Sequence, residues 1–240
     1  MIQSWNEKIL FVEDDQSKCI EILLDELQEL YTLKNAKVLH VGAHEGEEVS
    51  QYRRHGFDSI VLIEANEKLC RALENKFTND ADIKIFNSTI SDSVKEVEFY
   101  LHTTHKGSVA SASILPLKML KKIVPIFNSD KKLKVHSTTL DDIIPSLGIN
   151  DCIDLITLDI QGAELMALKG GTKTLAKTNA IICEVNLIEN YEGCALENEI
   201  NEFLEKLGFQ HKLMLYHELY RGDERIPAWG EGLWIKDASY

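Results

Sequence analysis

Short, continuously apolar runs separated by helical stretches constrain this chain more than any other feature. Val38-Leu39-His40-Val41, Ser59-Ile60-Val61-Leu62-Ile63, Ile83-Lys84-Ile85-Phe86, Ile153 to Leu158 and Ala180 to Cys183 each read as a buried strand. Helical spacing recurs between them: Glu47 to His55 with a stop at Gly56, Glu67 to Phe77, Glu164 to about Lys177, and Leu196 to Leu207 before Gly208. Strands apolar on both faces and joined through helices predict an α/β domain around a parallel sheet, covered on both sides. Phe209 to Tyr216 and Gly232 to Lys236 predict a closing pair of strands.

Two regions stand outside that rhythm. Ile20, Leu23, Leu24, Leu27, Leu30 and Tyr31 recur at helical spacing. They predict a helical segment over residues 1–35 that packs on a domain formed by residues 36–240; such a helix could also serve as the arm of a homodimer. Residues 102–133, rich in Ser, Thr, His and Lys, predict a lid or insertion with a short helix near Leu115 to Ile123. The preceding Glu96 to Leu101 alternates like an edge strand.

Charge and cysteine usage narrow the partners. A formal net charge of −13 gives no global attraction to phosphate backbones or anionic lipids, so neither a nucleic acid nor a membrane is expected as partner. The local lysines Lys118, Lys121, Lys122, Lys131, Lys132 and Lys134 read as a solvated surface. No run reaches the roughly 18 apolar residues of a membrane helix. Met1 to Glu7 lacks the basic and apolar regions of a secretory signal, so a cytoplasmic location is expected. Cys19, Cys70, Cys152, Cys183 and Cys194 show no CxxC spacing and read as reduced thiols with no metal site.

The chemistry concentrates at strand ends. Val41-Gly42-Ala43-His44-Glu45-Gly46 joins the first main strand to its helix, the place where such sheets bind nucleotide-like ligands. Dinucleotides need G-x-G-x-x-G so that a pyrophosphate can approach the backbone. Here the middle glycine is missing, and Glu45, Glu47 and Glu48 crowd the turn, which suits the cationic S-adenosylmethionine better than a pyrophosphate. Glu64 ends the second main strand 22 positions after Gly42. An acid about 20 residues beyond the glycine turn can accept both ribose hydroxyls of an adenosine. Leu158-Asp159-Ile160-Gln161-Gly162-Ala163-Glu164 places two carboxylates and an amide at one strand–helix turn, and Glu184 ends the next strand on the same side. Asp159, Glu164 and Glu184 are therefore the candidate catalytic carboxylates; His44, His102, His105 and His136 are weaker candidates as a base.

These segments resemble the FkbM family of methyltransferases. The resemblance rests on Val41 to Gly46, Ile63-Glu64-Ala65-Asn66, Thr139-Leu140-Asp141-Asp142, Leu158 to Glu164 running into Leu168-Lys169-Gly170, Glu184, Tyr191-Glu192-Gly193 and Gly232-Leu233-Trp234-Ile235. It covers roughly residues 36 to 236. It implies a Rossmann-like class I methyltransferase fold, a mostly parallel seven-stranded sheet whose last strand is antiparallel. It implies S-adenosylmethionine as cofactor and an oxygen, or a nitrogen, of a small molecule, saccharide, polyketide or peptide as acceptor. Gly42, Ala43, His44 and Gly46 would then line the methionine part, with Asp159 near its ammonium. Glu64, Ala65 and Asn66 would hold the ribose, and Ser88, Thr89 and Ser91 would flank the adenine. Ser111, Ser113, Gln161 and Tyr191, with Trp229, would face the acceptor. One position departs from the family pattern: His40 stands where an acid is usual. A nicotinamide-dependent oxidoreductase or epimerase, or a non-catalytic nucleoside-binding protein, would share the strand, the turn and the ribose acid.

Overall fold

The structure is a computed structural model. It describes residues 8–11, 16–103, 109–123, 128–149, 151–221 and 224–237, and within these the side chains of 8–11, 16–17, 103, 109–111, 128–130, 219–221 and 224 are left aside. In chain order the elements are β1 (Lys8–Phe11), α1 (Gln16–Leu30), β2 (Ala36–Val41), α2 (Val49–Arg54), β3 (Phe57–Glu64), α3 (Glu67–Lys76), β4 (Ile83–Asn87), β5 (Thr89–Ile90), β6 (Glu96–Thr103), β7 (Val109–Ser113) and α4 (Met119–Ile123). Then come β8 (Asn128–Thr138), α5 (Leu140–Ser146), β9 (Ile153–Leu158), α6 (Glu164–Lys169), α7 (Thr172–Leu175), β10 (Thr178–Asn186), α8 (Glu197–Lys206), β11 (Phe209–Arg221) and β12 (Glu224–Lys236).

The main sheet runs β11-β12-β10-β9-β2-β3-β4, with β1 added as a short eighth strand parallel to β11. All pair in parallel except β12, which is antiparallel to both neighbours. That arrangement is the α/β sheet expected from the rhythm of the sequence. Its strands bury both faces. Leu39, Val41, Ile156, Leu158, Ile181 and Cys183 join the core beneath α5 to α8. Val38, Leu155, Ala180 and Ile182 join the opposite core beneath α1, α2 and α3. This period-two division of continuous apolar runs is what parallel sheets require. In α1, Cys19, Ile20, Leu23, Leu24 and Leu27 are buried against that second face, while Leu30 and Tyr31 are exposed.

Four local features differ from the sequence expectations. β6 is not an edge strand: it sits inside a second sheet ordered β5-β8-β6-β7. Much of residues 102–133 is therefore strand rather than irregular chain. The helical stretch after Glu164 is broken into α6 and α7 at Gly170 and Gly171. A Cβ at Gly170 would lie 2.3 Å from the Ser91 carbonyl oxygen, so the chain is pressed against the β5 end there. α5, started by Thr139 Oγ1 accepting from the Asp142 N–H at 3.1 Å, carried no periodicity strong enough to announce it. Finally, β10 continues past Glu184 to Asn186, which brings a further polar side chain to the strand end.

Candidate active site

A cavity of about 540 Å³ opens at the carboxyl ends of β2, β3, β9 and β10. That is within the roughly 300–1,000 Å³ usual for small-molecule sites. The small sheet and the chain after it close one side through Phe99, Ala112, Ser113, Ile114 and Leu120.

The turn after β2 is shaped by steric necessity. Gly42 has φ +91°, and a Cβ there would sit 1.8 Å from the carbonyl oxygen of Asp159. Its N–H and that of Ala43 both donate to the Ile63 carbonyl, at 2.8 and 3.2 Å, which draws the turn over the end of β3. The Glu64 carboxylate then joins two segments: Oε2 accepts from the His44 N–H at 2.9 Å and Oε1 from the Asn66 N–H at 2.7 Å. Burial raises the pKa of Glu64, and these two N–H bonds oppose the rise. Each oxygen keeps further lone-pair capacity for a hydroxyl donor.

Not every turn residue faces the cavity. Gly42, His44, Glu64, Ala65, Ser88 and Thr89 line it. Ala43 instead packs into the core on the α1 side. Gly46, at φ +68°, lies against Leu73 and Phe77. Asn66 caps α3, its Oδ1 accepting from the Lys68 N–H at 3.1 Å. Ser91 is fully buried and its Oγ lies 3.4 Å from Asp92 Oδ1. Ala43, Gly46, Asn66 and Ser91 thus support the cavity without forming its wall.

Opposite the Glu64 end, Gln161 ties the floor together. Its Nε2 donates to Asp159 Oδ1 at 2.7 Å and reaches Glu184 Oε2 at 3.4 Å, and its Oε1 accepts from the Tyr191 hydroxyl. Ser113 Oγ donates to the Gln161 carbonyl at 2.8 Å. Gln161 holds φ +57°, a left-handed conformation that costs an ordinary residue about 1–2 kcal/mol. The bonds at both its ends hold it there. Burial, with the charges of Glu231 and Glu48 adding to it, pushes the Asp159 carboxyl up to about 6, against the Gln161 bond and His40. Burial, then Asp159, Glu164 and Glu231, pushes Glu184 well above the carboxylate range. Two neighbouring carboxyls with separated proton affinities can hold and accept a proton at neutral pH.

Glu164 lies outside the cavity wall. Its Oε1 accepts from the N–H groups of Ile160 and Gly162, both at 3.0 Å, so it fastens the turn that carries Asp159 and Gln161. Glu164→Ala is expected to leave both N–H groups without that acceptor and to cost about 2–6 kcal/mol of stability, at about 1–3 per group. Glu164→Gln retains an oxygen and is expected to fold. Burial raises Glu164 from 4.5 to about 7, so the folded state takes up its proton before the unfolded chain does. Its contribution is present below about 4.5 and is lost as pH rises through about 7. Denaturant melts are therefore expected to show the native protein losing stability relative to Glu164→Gln across that window; parallel curves would contradict this role.

The histidines separate in the same way. His40 is buried beneath the cavity, its Nδ1 3.2 Å from the Tyr52 hydroxyl, and burial lowers it to about 4, so it brings no charge where an acid is usual. His44 faces the cavity but its Nδ1 is engaged by Glu47 Oε1 at 2.9 Å. His102 is buried behind Tyr191, and burial lowers it to about 4. His136 is exposed on β8. His105 and the side chain of Ser111 lie outside the described residues, although the Ser111 backbone pairs with His102.

The wall takes in further residues, of which Gln51, Asn186 and Asn190 carried no sequence signal of their own. Glu48, raised to about 7 chiefly by burial, lines the cavity with Gln51. Asn186 and Asn190 also line it, beside Trp229. Asn186 Nδ2, Asn190 Oδ1 and Trp229 Nε1 are buried without a hydrogen-bond partner in the protein. The polar residue two positions beyond Glu184 on β10 was the available clue, since alternate strand residues share a face.

Comparison with known proteins places this geometry. The family model described as "Methyltransferase FkbM domain" matches residues 40–211. The 2-O-methyltransferase NoeI of Sinorhizobium fredii is 42% identical over 64 residues, a match that spans 27% of this chain and only 26% of that protein. Among solved structures, an RNA methyltransferase candidate from Pyrococcus horikoshii superposes with TM-score 0.50 at 11% identity, over 96% of this chain and 94% of that one. Magnesium protoporphyrin IX methyltransferase from Synechocystis, solved with bound S-adenosylmethionine, superposes with TM-score 0.50 at 9% identity, over 92% and 80%. At such identity the two structures speak for the fold. No helix among the described residues is long and apolar enough to cross a membrane.

Proposed function

Because the chain belongs to the FkbM methyltransferase-domain family, whose cofactor is S-adenosylmethionine, we propose that it methylates an oxygen, in preference to a nitrogen, of a small-molecule, saccharide or peptide acceptor in natural-product or glycan biosynthesis. The observation that carries this reading is the pair Asp159 and Glu184, bridged by Gln161 on the floor of the cavity that Glu64 closes at its other end.

The residues present fit the cofactor. Gly42 and His44 of the turn line the cavity, and Glu64 offers spare lone pairs for the ribose hydroxyls. Glu47 and Glu48 line the wall near the turn, which favours a cationic ligand and disfavours the pyrophosphate of a dinucleotide. When bound, the cofactor supplies an electrophilic methyl group on a sulfonium centre.

On this reading the chain positions the acceptor and manages its proton. Asp159, ionised above about pH 6, takes the hydroxyl proton. Glu184 keeps its own proton at neutral pH and donates to an acceptor oxygen. Gln161, held by Tyr191 and Ser113, keeps the two carboxyls in register. The buried polar atoms of Asn186, Asn190 and Trp229 support an acceptor rich in hydrogen-bonding groups. Residues 112–120 close over it as a lid. The acidic wall and the net charge of −13 support an acceptor without a phosphate backbone.

The test is turnover of S-adenosylmethionine to S-adenosylhomocysteine across a panel of hydroxylated small molecules, saccharides and peptides. The rate is expected to rise with pH through about 6 and then level. Asp159→Asn is expected to lower kcat by about 10²–10⁴-fold, the usual worth of a general base, and to abolish that limb. Glu184→Gln, which mimics the protonated acid, is expected to stay within about tenfold of the native rate. Full turnover by Asp159→Asn would remove its role, and a product methylated on nitrogen would overturn the oxygen assignment.

A further inference from the structure

On the α1 face of the sheet, behind the Trp229 wall of the cavity, three groups from distant parts of the chain meet. Cys19 on α1, His217 on β11 and Glu231 on β12 bring Sγ, Nε2 and Oε2 within 4.8 Å of one another. The Cys19 Sγ lies 3.6 Å from His217 Nε2, and Glu231 Oε2 lies 3.1 Å from the same nitrogen. The Cys19 and His217 side chains are 1% and 2% exposed and the Glu231 side chain 16%. The Trp229 ring stacks on His217 at 5.3 Å and 9°, which fixes the imidazole plane.

The three groups offer a thiol sulfur, an imidazole nitrogen and a carboxylate oxygen, each of which can ligate a metal once deprotonated. A cation at the centre satisfies all three at once. Metal distances of about 2.3 Å to sulfur and 2.0–2.2 Å to nitrogen and oxygen imply tetrahedral edges of about 3.5 Å for S···N and 3.4 Å for N···O. Both observed separations lie within about 0.3 Å of those edges. The mixed sulfur, nitrogen and oxygen set suits a borderline-soft divalent ion of the zinc type, and three protein ligands leave one position open.

We propose that Cys19, His217 and Glu231 form a binding site for one zinc-type divalent cation, which clamps α1 to the β11–β12 pair beside Trp229 on the cavity wall. On binding, the Cys19 thiol releases its proton to solvent and ligates as thiolate, while His217 ligates through unprotonated Nε2. The sequence spacing could not show this site, because Cys19 and His217 are 198 positions apart.

The proposal does not depend on methyl transfer and is tested without it. The full chain, stripped with a chelator, is titrated with Co²⁺ as spectroscopic probe and then with Zn²⁺ as competitor. The expected result is one Co²⁺ per chain, with a thiolate-to-cobalt charge-transfer band and the visible bands of a four-coordinate ion, displaced by Zn²⁺. Cys19→Ser is expected to lose the charge-transfer band, and Cys152→Ser, at the exposed thiol, to keep it. Glu231→Gln keeps the thiolate and is expected to retain the band while weakening Co²⁺ binding more than about tenfold, the lower end for losing even an outer partner. Absence of the band in the native chain, or its persistence in Cys19→Ser, overturns the site.

Discussion

Gly42→Val is expected to remove measurable cofactor binding and to cost about 2–5 kcal/mol of stability. Two causes add. A β-branched residue at φ +91° is a backbone outlier, costing about 1–2 kcal/mol. Its Cβ would also fall 1.8 Å from the Asp159 carbonyl oxygen and 3.1 Å from Ile160 Cγ2. Overpacking of that kind adds about 1–3 kcal/mol, more where the neighbour is backbone. Neither strand can yield alone, because β2 and β9 are paired from Val38↔Leu155 to Val41↔Leu158 and the Asp159 N–H donates to the Val41 carbonyl at 3.1 Å. Since the Cβ carries the clash, Gly42→Ala should show most of the effect in thermal melts and in calorimetry with S-adenosylhomocysteine. Native melting and native affinity in Gly42→Ala would show that the turn does not press on β9.

Glu64→Ala is expected to weaken both S-adenosylmethionine and S-adenosylhomocysteine by about 10²–10³-fold, equivalent to about 3–4 kcal/mol. Two charge-assisted bonds to ribose hydroxyls at about 1.5–3 kcal/mol each set that scale. The same substitution frees the His44 and Asn66 N–H groups, so the glycine turn loses its tie to the start of α3. Glu64→Gln keeps one acceptor oxygen and turns an amide NH₂ toward the other backbone N–H, so an intermediate loss is expected. The two ligands share the ribose and should lose affinity alike. A loss confined to S-adenosylmethionine would mean that Glu64 answers the sulfonium charge instead.

What the sequence made legible was local. The strands β2, β3, β9 and β10 are continuous apolar runs, and Gly42 and Glu64 are fixed by spacing along one strand–turn–helix–strand unit. What it hid depended on contacts far along the chain or on side-chain direction. β1 finds its partner near Leu213. β6 buries Phe99, Tyr100 and Leu101 and was legible as a strand, but its partner β8 opens on the polar run Asn128 to Lys132, so their pairing, Glu96↔His136 to Thr103↔Asn128, was not. A carboxylate opening a helix looks the same whether it faces a cleft or folds back on its own turn, and Glu164 does the latter. Ala43 and Ser91 sit within the right motifs but point into packed protein, because alternate residues of a strand and its turn face opposite sides. Asn186 and Asn190 reach the cavity only because β10 extends beyond Glu184 and the following chain turns back over it.

Calorimetric titration of the native chain with S-adenosylmethionine, S-adenosylhomocysteine, NAD and NADP tests the central claim most directly. Binding of the two adenosyl sulfur compounds, absence of heat from both nicotinamide nucleotides, and loss of the signal in Gly42→Val and Glu64→Ala are the results this account predicts. Binding of a nicotinamide nucleotide with no response to S-adenosylmethionine would contradict it.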